Sequence, residues 1–469
     1  MQRSYLWGSW SPSHLIVVTF AVVVAVGTCL LLLPWAAAGE PLSVLEALFT
    51  ATSATCVTGL VVVDTGTALS TMGQLVVLAL IQIGGLGLMT FSTLALVLMG
   101  KRLHLRDRLV VTTVVYREGA SELRAVVRAI VGMTLAFEAI GTVVLAWRWP
   151  ADSFYEALFA GFFHSVSAFC NAGFSLLSNS LEGFRGDIVV NLTIMVLIVV
   201  GGLGFPVVLE LTDYARPKAK RRRQMMSLHT KMVLVVTVFL IVVGSIAIYA
   251  LESRHALANL SLPDRITASV FQAVTPRTAG FNTLPTGNLL SSTLFIMILL
   301  MFIGGSPGST AGGIKTTTFG MVFAYMYSRY RGGESVDAFR RTIPAVDLRR
   351  AVTLAGTALL VLFLGLLALL LTEGAVAPEE LPNHVPPVVQ GQRPLQASLF
   401  LELMFEATSA LSTVGLSTGV TGSLSVAGRL FVIVLMFVGR VGPLTLAVAI
   451  GQRRVRGSYR YPEEHILVG

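Results

Sequence analysis

Four tripeptides in this chain end on a glycine that is followed by Phe or Leu: Val57-Thr58-Gly59, Asn171-Ala172-Gly173, Thr278-Ala279-Gly280 and Thr413-Val414-Gly415. Their side chains make no acid–base pair and no metal-ligand cluster, so what these loops offer chemically is backbone oxygen. A cation that sheds its water inside a membrane needs oxygen ligands, and a ring of carbonyls supplies them. Glycine suits such a loop because it adopts positive φ at little cost, which lets the chain turn its carbonyls to one side. One loop of this kind could be a helix–helix turn with a glycine C-cap. Four in the same register point to a filter for a dehydrated cation.

A second landmark follows each glycine. Gly84-Gly85-Leu86-Gly87, Gly201-Gly202-Leu203-Gly204, Gly304-Gly305-Ser306-Pro307-Gly308 and Gly439-Arg440-Val441-Gly442 recur, with Gly85, Gly202, Gly305 and Arg440 lying 26, 29, 25 and 25 residues beyond the loop glycines. In the third copy the run through Gly304, Gly305, Pro307, Gly308, Ser309, Thr310, Gly312, Gly313 and Lys315 is rich in helix breakers. An unwound loop there could plug an ion pathway; a simple kink is the alternative. The fourth copy places Arg440 where its sisters have glycine. Arg near the middle of a membrane helix costs roughly 2.5–3.5 kcal/mol on insertion scales, so it should face a pathway or partner carbonyls, those of the third-copy loop first. The alternative is a snorkelling structural Arg.

Residues 308–316 almost spell a phosphate-binding loop, but they carry one residue too many before Lys315 and no strand precedes them. No H-E-x-x-H, G-x-S-x-G or paired-Cys motif occurs. An enzyme is therefore not expected.

The elements that position these loops are membrane helices. Apolar residues make up 54% of the 469 and charged residues 13%, which excludes soluble, disordered and disulfide-stapled classes. Apolar runs long enough to cross a bilayer occur at 15–33, 74–99, 126–146, 188–211, 232–251, 294–327, 352–371 and 430–450. Between consecutive pairs lie shorter stretches at 42–55, 153–169, 265–275 and 398–411, lengths that suit re-entrant segments. The first run has no convincing cleavage site and reads as a retained span. Basic residues collect at 101–128, 216–231, 329–350 and 453–460; with Arg3 these hold 25 of the 34 Lys and Arg, which sets both termini in the cytoplasm by the positive-inside rule. The net charge of +9 thus reports orientation and gives no reason to expect nucleic acid. Trp7 and Trp10 precede the first span, and Trp35, Trp147 and Trp149 fall at outer span ends, as an aromatic belt would. Cys29, Cys56 and Cys170 are too widely spaced for a metal site and are expected to be free, buried thiols.

Each unit contains an even number of crossings, so the four are parallel. The expected fold is an all-α polytopic membrane protein of four helix–pore loop–helix repeats around a pseudo-fourfold pore. Repeats are expected at 12–100, 122–214, 226–330 and 346–452, with a cytoplasmic tail at 453–469. Glu46, Glu156, Glu402, Glu406, Asp64, Asp152 and Asp187 could concentrate cations at the outer mouth or serve as helix caps. Arg277, beside the third loop, is expected to form an ion pair.

The four glycine loops, the stretch 304–317, the Gly439-Arg-Val-Gly-Pro-Leu-Thr445 motif and the Tyr461-Pro-Glu-Glu tail together resemble the Trk/Ktr/HKT superfamily of potassium transporters, and within it the membrane subunit of the bacterial Ktr system. The resemblance covers nearly the whole chain. It implies K+ held at one filter glycine per repeat (Gly59, Gly173, Gly280 and Gly415), an intramembrane gating loop at 304–317, and a homodimer with a pore in each protomer. It also implies a cytosolic ring of nucleotide-binding regulatory subunits as partner and Na+ as a coupling or activating ion, with no cofactor in this chain.

Overall fold

A computed structural model describes residues 12–100, 120–215, 226–374 and 395–442. The basic segments at 101–119 and 216–225 and the tail 453–469 lie outside the described residues, and the last expected span is followed only to Gly442. Three helices recur four times. The first unit holds α1 (Pro12–Leu31), α2 (Val44–Thr55) and α3 (Thr71–Gly100). The second holds α4 (Ala120–Arg148), α5 (Phe154–Phe169) and α6 (Ile188–Leu203), which continues into α7 (Phe205–Ala215). The third holds α8 (Leu228–Glu252), α9 (Leu262–Val274), α10 (Ser291–Phe302) and α11 (Thr316–Tyr330). The fourth holds α12 (Ala345–Glu373), α13 (Leu395–Ser412) and α14 (Val426–Val441). A hairpin of β1 (Asp337–Ala338) and β2 (Arg341–Thr342) joins α11 to α12, turning through Phe339 and Arg340 at positive φ; nothing in the hydropathy pattern announces it.

The short helices begin where a serine can cap them. Ser43, Ser153 and Ser261 accept the N–H of Glu46, Glu156 and Asp264, and around α2 the Glu46 carboxylate returns a bond to the Ser43 N–H, completing a capping box. A second device closes each unit at the far end of its first helix. Ser70 Oγ donates to the Trp35 carbonyl (2.6 Å), Arg148 pairs with Asp187 (2.7 Å), Glu252 accepts from Thr293 Oγ1 (2.6 Å), and Glu373 accepts from Ser425 Oγ (2.7 Å). Each tether joins the end of the unit's first helix, or the turn just after it, to the start of the helix that follows the short one, so each unit is a closed bracket around its short helix.

The brackets assemble in sequence order. α3 packs on α5, α6 on α9, α10 on α13, and α14 returns to α2. Four apolar cores follow from this, each at a seam between neighbours: Ile81 of the first unit meets Phe163 of the second, Ile198 of the second meets Phe271 of the third, Met297 of the third meets Phe405 of the fourth, and Met436 of the fourth meets Phe49 of the first. Each core joins packing within a unit to packing across a seam, so the ring is buried together with the units that make it.

The periphery is apolar as well. Val235, Phe239, Val242 and Ile246 on α8 and Leu360, Phe363, Leu367 and Leu371 on α12 are exposed, a pattern water does not tolerate and lipid does. Among the described residues, α4 from Val127, α8 and α12 are each long and apolar enough to cross a membrane.

Three expectations are corrected. The run 188–211 is not one straight span: α6 and α7 meet at 103°, with Gly204 at φ +84° and Pro206, which has no N–H to continue the ladder, just beyond. Cys29 is free but exposed, since it lies on the outward side of α1; Cys56 and Cys170 are free and buried. Trp149 is not a belt residue: its ring is drawn inward onto His164, 4.4 Å between centroids, while Trp35 and Trp147 remain exposed.

Candidate functional site

The four loop glycines meet at one place. A Cβ built on Gly59 would strike the Ala172 carbonyl oxygen, one on Gly173 the Ala279 oxygen, one on Gly280 the Val414 oxygen, and one on Gly415 the Thr58 oxygen. Each glycine thus abuts the residue before the next glycine, and the fourth returns to the first. The structure brings all twelve tripeptide residues into a closed ring that leaves no room for a side chain at those four positions.

Backbone conformation within the ring alternates in hand. φ is +56°, +59°, +71° and +52° at Val57, Asn171, Thr278 and Thr413, and +91°, +71°, +80° and +91° at the glycines, while the residues between are not left-handed. Alternation of this kind sends successive carbonyls to the same side of a strand. A left-handed non-glycine residue costs roughly 1–2 kcal/mol, and four at equivalent positions are a mark of a functional constraint. The short helices end at Thr55, Phe169, Val274 and Ser412, within a few residues of the ring, so their partial negative ends favour a cation there.

Hydroxyls lock the strands to those helix ends. Ser53 and Ser409, six residues before their glycines, accept the N–H of Gly59 and Gly415 at 3.1 Å. Ser167 and Thr275 instead donate to the carbonyls of Phe174 (2.8 Å) and Phe281 (2.5 Å), just past theirs. A hydroxyl six residues before the glycine in three units, and five before it in the third, is the signal that could have found these anchors. The first glycine of the second landmark also gains a reason: a Cβ on Gly84, Gly201 or Gly439 would strike the carbonyl oxygen of Thr55, Phe169 or Leu411, each four residues before a ring glycine.

A second constellation packs against the side of the ring where the short helices end. α10 and α11 are stitched together by Gly304 N–H to Ile314 O (2.9 Å) and Thr316 N–H to Gly305 O (3.0 Å), so the residues between make an excursion with closed ends. That excursion touches the second and fourth units directly. Ser306 N–H and Oγ bond the Gly202 carbonyl (3.0 and 2.9 Å), Ser306 Oγ also reaches Leu203 O, and Phe205 N–H bonds Gly308 O (3.1 Å). Thr310 Oγ1 donates to Phe169 O (3.3 Å), a Cβ on Gly312 would strike Thr413 Oγ1, and one on Gly313 would touch Ser412. Pro307 and Ser309 sit at its tip, with Ser309 Oγ bonded back to Ser306 O (2.6 Å).

Two cations hold the excursion. Arg440, 2% exposed, donates Nη1 to Thr310 O (2.5 Å) and Nη2 to Gly84 O (2.9 Å). Lys315 Nζ donates to Ala311 O (2.7 Å) and lies 3.5 Å from Gly312 O. Arg440 therefore clamps the third unit's loop to the first unit from a helix of the fourth.

Other candidates sort differently. Glu46 and Glu156 belong to helix caps, Asp64 accepts the N–H of Gly66 and Thr67, Asp152 is exposed, and Asp187 caps α6 while pairing with Arg148. Burial acts to raise the Asp187 carboxyl, but hydrogen bonds from Arg148, Val190 and Val189 and the Arg148 charge outweigh it and hold the group below the ordinary carboxylate range. Glu402 is half-buried. Glu406 is fully buried, bonded to Ser417 and Thr421, and so cannot serve as an attractor in open water. Arg277 forms no ion pair with any described carboxylate: its Nη2 donates to Thr237 Oγ1 at 3.2 Å, and the side chain otherwise lies among Ile198, Val199 and Val274, which bring no charge.

Comparison with known proteins places this architecture. The TrkH profile, described as a cation transport protein, matches residues 9–454. The chain is 38% identical over 466 residues to the Ktr system potassium uptake protein B of Bacillus subtilis (strain 168), covering 99% of this chain and 98% of that one. It is 33% identical over 465 residues to the potassium/sodium uptake protein NtpJ of Enterococcus hirae, covering 98% and 97%. In structure it is similar to the potassium transporter TrkH from Vibrio parahaemolyticus, with a TM-score of 0.73 at 18% identity over 96% of this chain and 87% of that one, which speaks to the fold.

Proposed function

Because this chain belongs to the TrkH family of cation transport proteins, we propose that it is the ion-translocating membrane subunit of a Ktr-type potassium uptake system. K+ is selected by the backbone carbonyls of Val57, Thr58 and Gly59, Asn171, Ala172 and Gly173, Thr278, Ala279 and Gly280, and Thr413, Val414 and Gly415. The observation that carries this reading is the ring itself: four glycines from four units, each against the carbonyl before the next. Oxygen ligands at fixed spacing can replace the hydration shell of one ion size better than another. Narrowness also explains why no side chain can be admitted at those positions.

The stretch 304–317 acts as the gate, with Arg440 as its latch. A loop seated across the inner side of the filter and pinned by a guanidinium obstructs the pathway sterically and places positive charge on it. Repeats at 12–100, 122–214, 226–330 and 346–452 surround the pore, both termini and the tail at 453–469 lie in the cytoplasm, and the protein works as a homodimer in the cell membrane. A cytosolic ring of nucleotide-binding subunits of the kind that serves Ktr systems docks on the basic cytoplasmic face. Na+ couples to or activates uptake, a reading favoured by the name of the Enterococcus relative.

Complementation of a cell unable to take up K+ tests the main claim, with the regulatory subunit co-expressed and the protein shown to be in the membrane. Growth at low K+ is expected; failure to grow would sink it. The same relative supports a second reading, a member permeable to Na+. Isotope uptake in proteoliposomes under separate K+ and Na+ gradients tells the two apart.

A further inference from the structure

The position nine residues before the ring glycine is Thr50, His164, Phe271 and Glu406 in the four units. The position two residues after it is Val61, Ser175, Asn282 and Ser417. In the second and fourth units these positions bond to each other through the same pattern. His164 Nδ1 lies 2.8 Å from the Ala160 carbonyl, so the ring proton sits there and Nε2 is an acceptor. Nε2 takes the Ser175 hydroxyl (3.0 Å) and the Leu176 N–H (3.4 Å), and Ser175 Oγ in turn accepts the Leu177 N–H at 3.0 Å. In the fourth unit the Ser417 hydroxyl donates to Glu406, and Ser417 Oγ accepts the Gly419 N–H at 2.9 Å. Leu177 and Gly419 are again equivalent, four residues beyond Gly173 and Gly415. Thr421 Oγ1 fills the other Glu406 oxygen at 2.9 Å.

His164 and Glu406 are both fully buried, and His164 is further fixed by Trp149 and Phe281, whose ring centroids lie 4.4 and 6.4 Å away. The ring order makes the second and fourth units face one another across the axis. The first unit has no such tether: Thr50 Oγ1 is buried without a hydrogen-bond partner, and Val61 offers none. In the third, Phe271 cannot bond to Asn282, whose side chain turns instead to Glu182 (2.8 Å).

We propose that His164 and Glu406 are paired positioning residues for ion selection, which tether the outer ends of two opposite filter strands through Ser175 and Ser417 and so set the carbonyl spacing across the ring. The inference rests on the filter reading above. A buried acceptor held by its own helix is a rigid post, and a strand hung from two such posts resists the collapse that would suit a smaller ion. The first and third strands carry no post of this kind and take their spacing from the tethered pair.

The test uses Ser175→Ala, Ser417→Ala and the double variant, which cut the tethers without disturbing the buried helix residues. The readout is Na+ competition against rubidium uptake by the full protein with its regulatory subunit. Each single variant is expected to lose about threefold of the K+ over Na+ discrimination and the double about tenfold, with maximal uptake and membrane abundance within twofold. Glu406→Gln should stay within twofold of the parent, because the carboxamide oxygen still accepts from Ser417; Glu406→Leu should not. Thr50→Ala, at the same register without a bond, should change nothing. Unchanged discrimination in the double variant overturns the proposal. Gly59→Ser in the same assay separates the two levels: if it shifts discrimination and the double does not, the tethers fail alone, and if neither shifts, the filter reading fails.

Discussion

Arg440 of the last described helix donates to the Gly84 carbonyl of α3 at 2.9 Å, closing a contact across 356 residues of chain. Its other terminal nitrogen holds Thr310. A carbonyl inside a straight helix normally serves its own ladder, so Gly84 takes this second donor where the absent Cβ leaves its helix in contact with the end of α2. One guanidinium thereby ties the loop of the third unit to the ring's first seam.

Removing that tie should free the loop. Arg440→Ala is expected to raise uptake several-fold in the absence of the regulatory subunit and to shrink the increment that subunit adds. Arg440→Lys should behave similarly, since a single ammonium cannot reach two carbonyls in the planar fork of a guanidinium. Rubidium uptake with and without the partner, normalised to membrane abundance, decides it, and parental uptake in both variants would return Arg440 to a purely structural role.

Gly59→Ser should reduce discrimination between K+ and Na+ by about tenfold, the equivalent of about 1.4 kcal/mol. Gly59 has φ +91° and its Cβ would collide with the Ala172 oxygen, so the ring must open to admit it. Reversal-potential shifts or competitive uptake measure the change. A variant that keeps parental selectivity would remove Gly59 from the filter.

Deleting residues 308–312 takes out the tip that lies against Pro206, Phe169 and Thr413 while leaving the stitch between Gly304 and Ile314. Uptake is expected to rise and its control by the regulatory subunit to weaken, with the elution profile of the parent kept in size-exclusion chromatography. Regulation at the parental level would make the excursion a passive kink.

The Arg148–Asp187 pair predicts an acid-side effect. Asp187 has its carboxyl held below the ordinary range, so the stabilisation it brings is fully present above the unfolded carboxylate value and disappears as pH falls through the folded one. Asp187→Asn keeps a cap for α6 but loses the charge, so it should lower the melting temperature slightly at neutral pH, by an amount equivalent to about 0.5 kcal/mol for a partly exposed pair. The gap between parent and variant should close below the folded value. Thermal melts in detergent across that range measure it, and a gap independent of pH would assign the effect to packing.

Much of the architecture was legible in residue order. Short polar-tipped apolar stretches at 42–55, 153–169, 265–275 and 398–411 correspond to helices Val44–Thr55, Phe154–Phe169, Leu262–Val274 and Leu395–Ser412, because length and composition alone separate a re-entrant helix from a span. The break in the third unit was legible too, since proline and five glycines in ten residues cannot hold a helix. Arg277 and Glu406 were misjudged from type alone: a charged residue suggests an ion pair or a water-facing role, yet one rests on a threonine and the other is sealed under two hydroxyls.

The limit of residue order is clearest in two copies of one tetrapeptide. Gly84-Gly85-Leu86-Gly87 stays helical, while Gly201-Gly202-Leu203-Gly204 ends its helix and turns through 103°. Four units, each with a glycine loop and a glycine-rich helix, follow from residue order alone, because local spacing and hydropathy are properties of the chain. Which glycine helix bends, which neighbour each loop touches and what Arg440 holds are settled only in the assembled fold. Those depend on partners hundreds of residues away: Phe205 N–H finds Gly308 O only once the third unit's loop is seated, and Gly84 O finds a guanidinium only once the fourth unit has closed the ring.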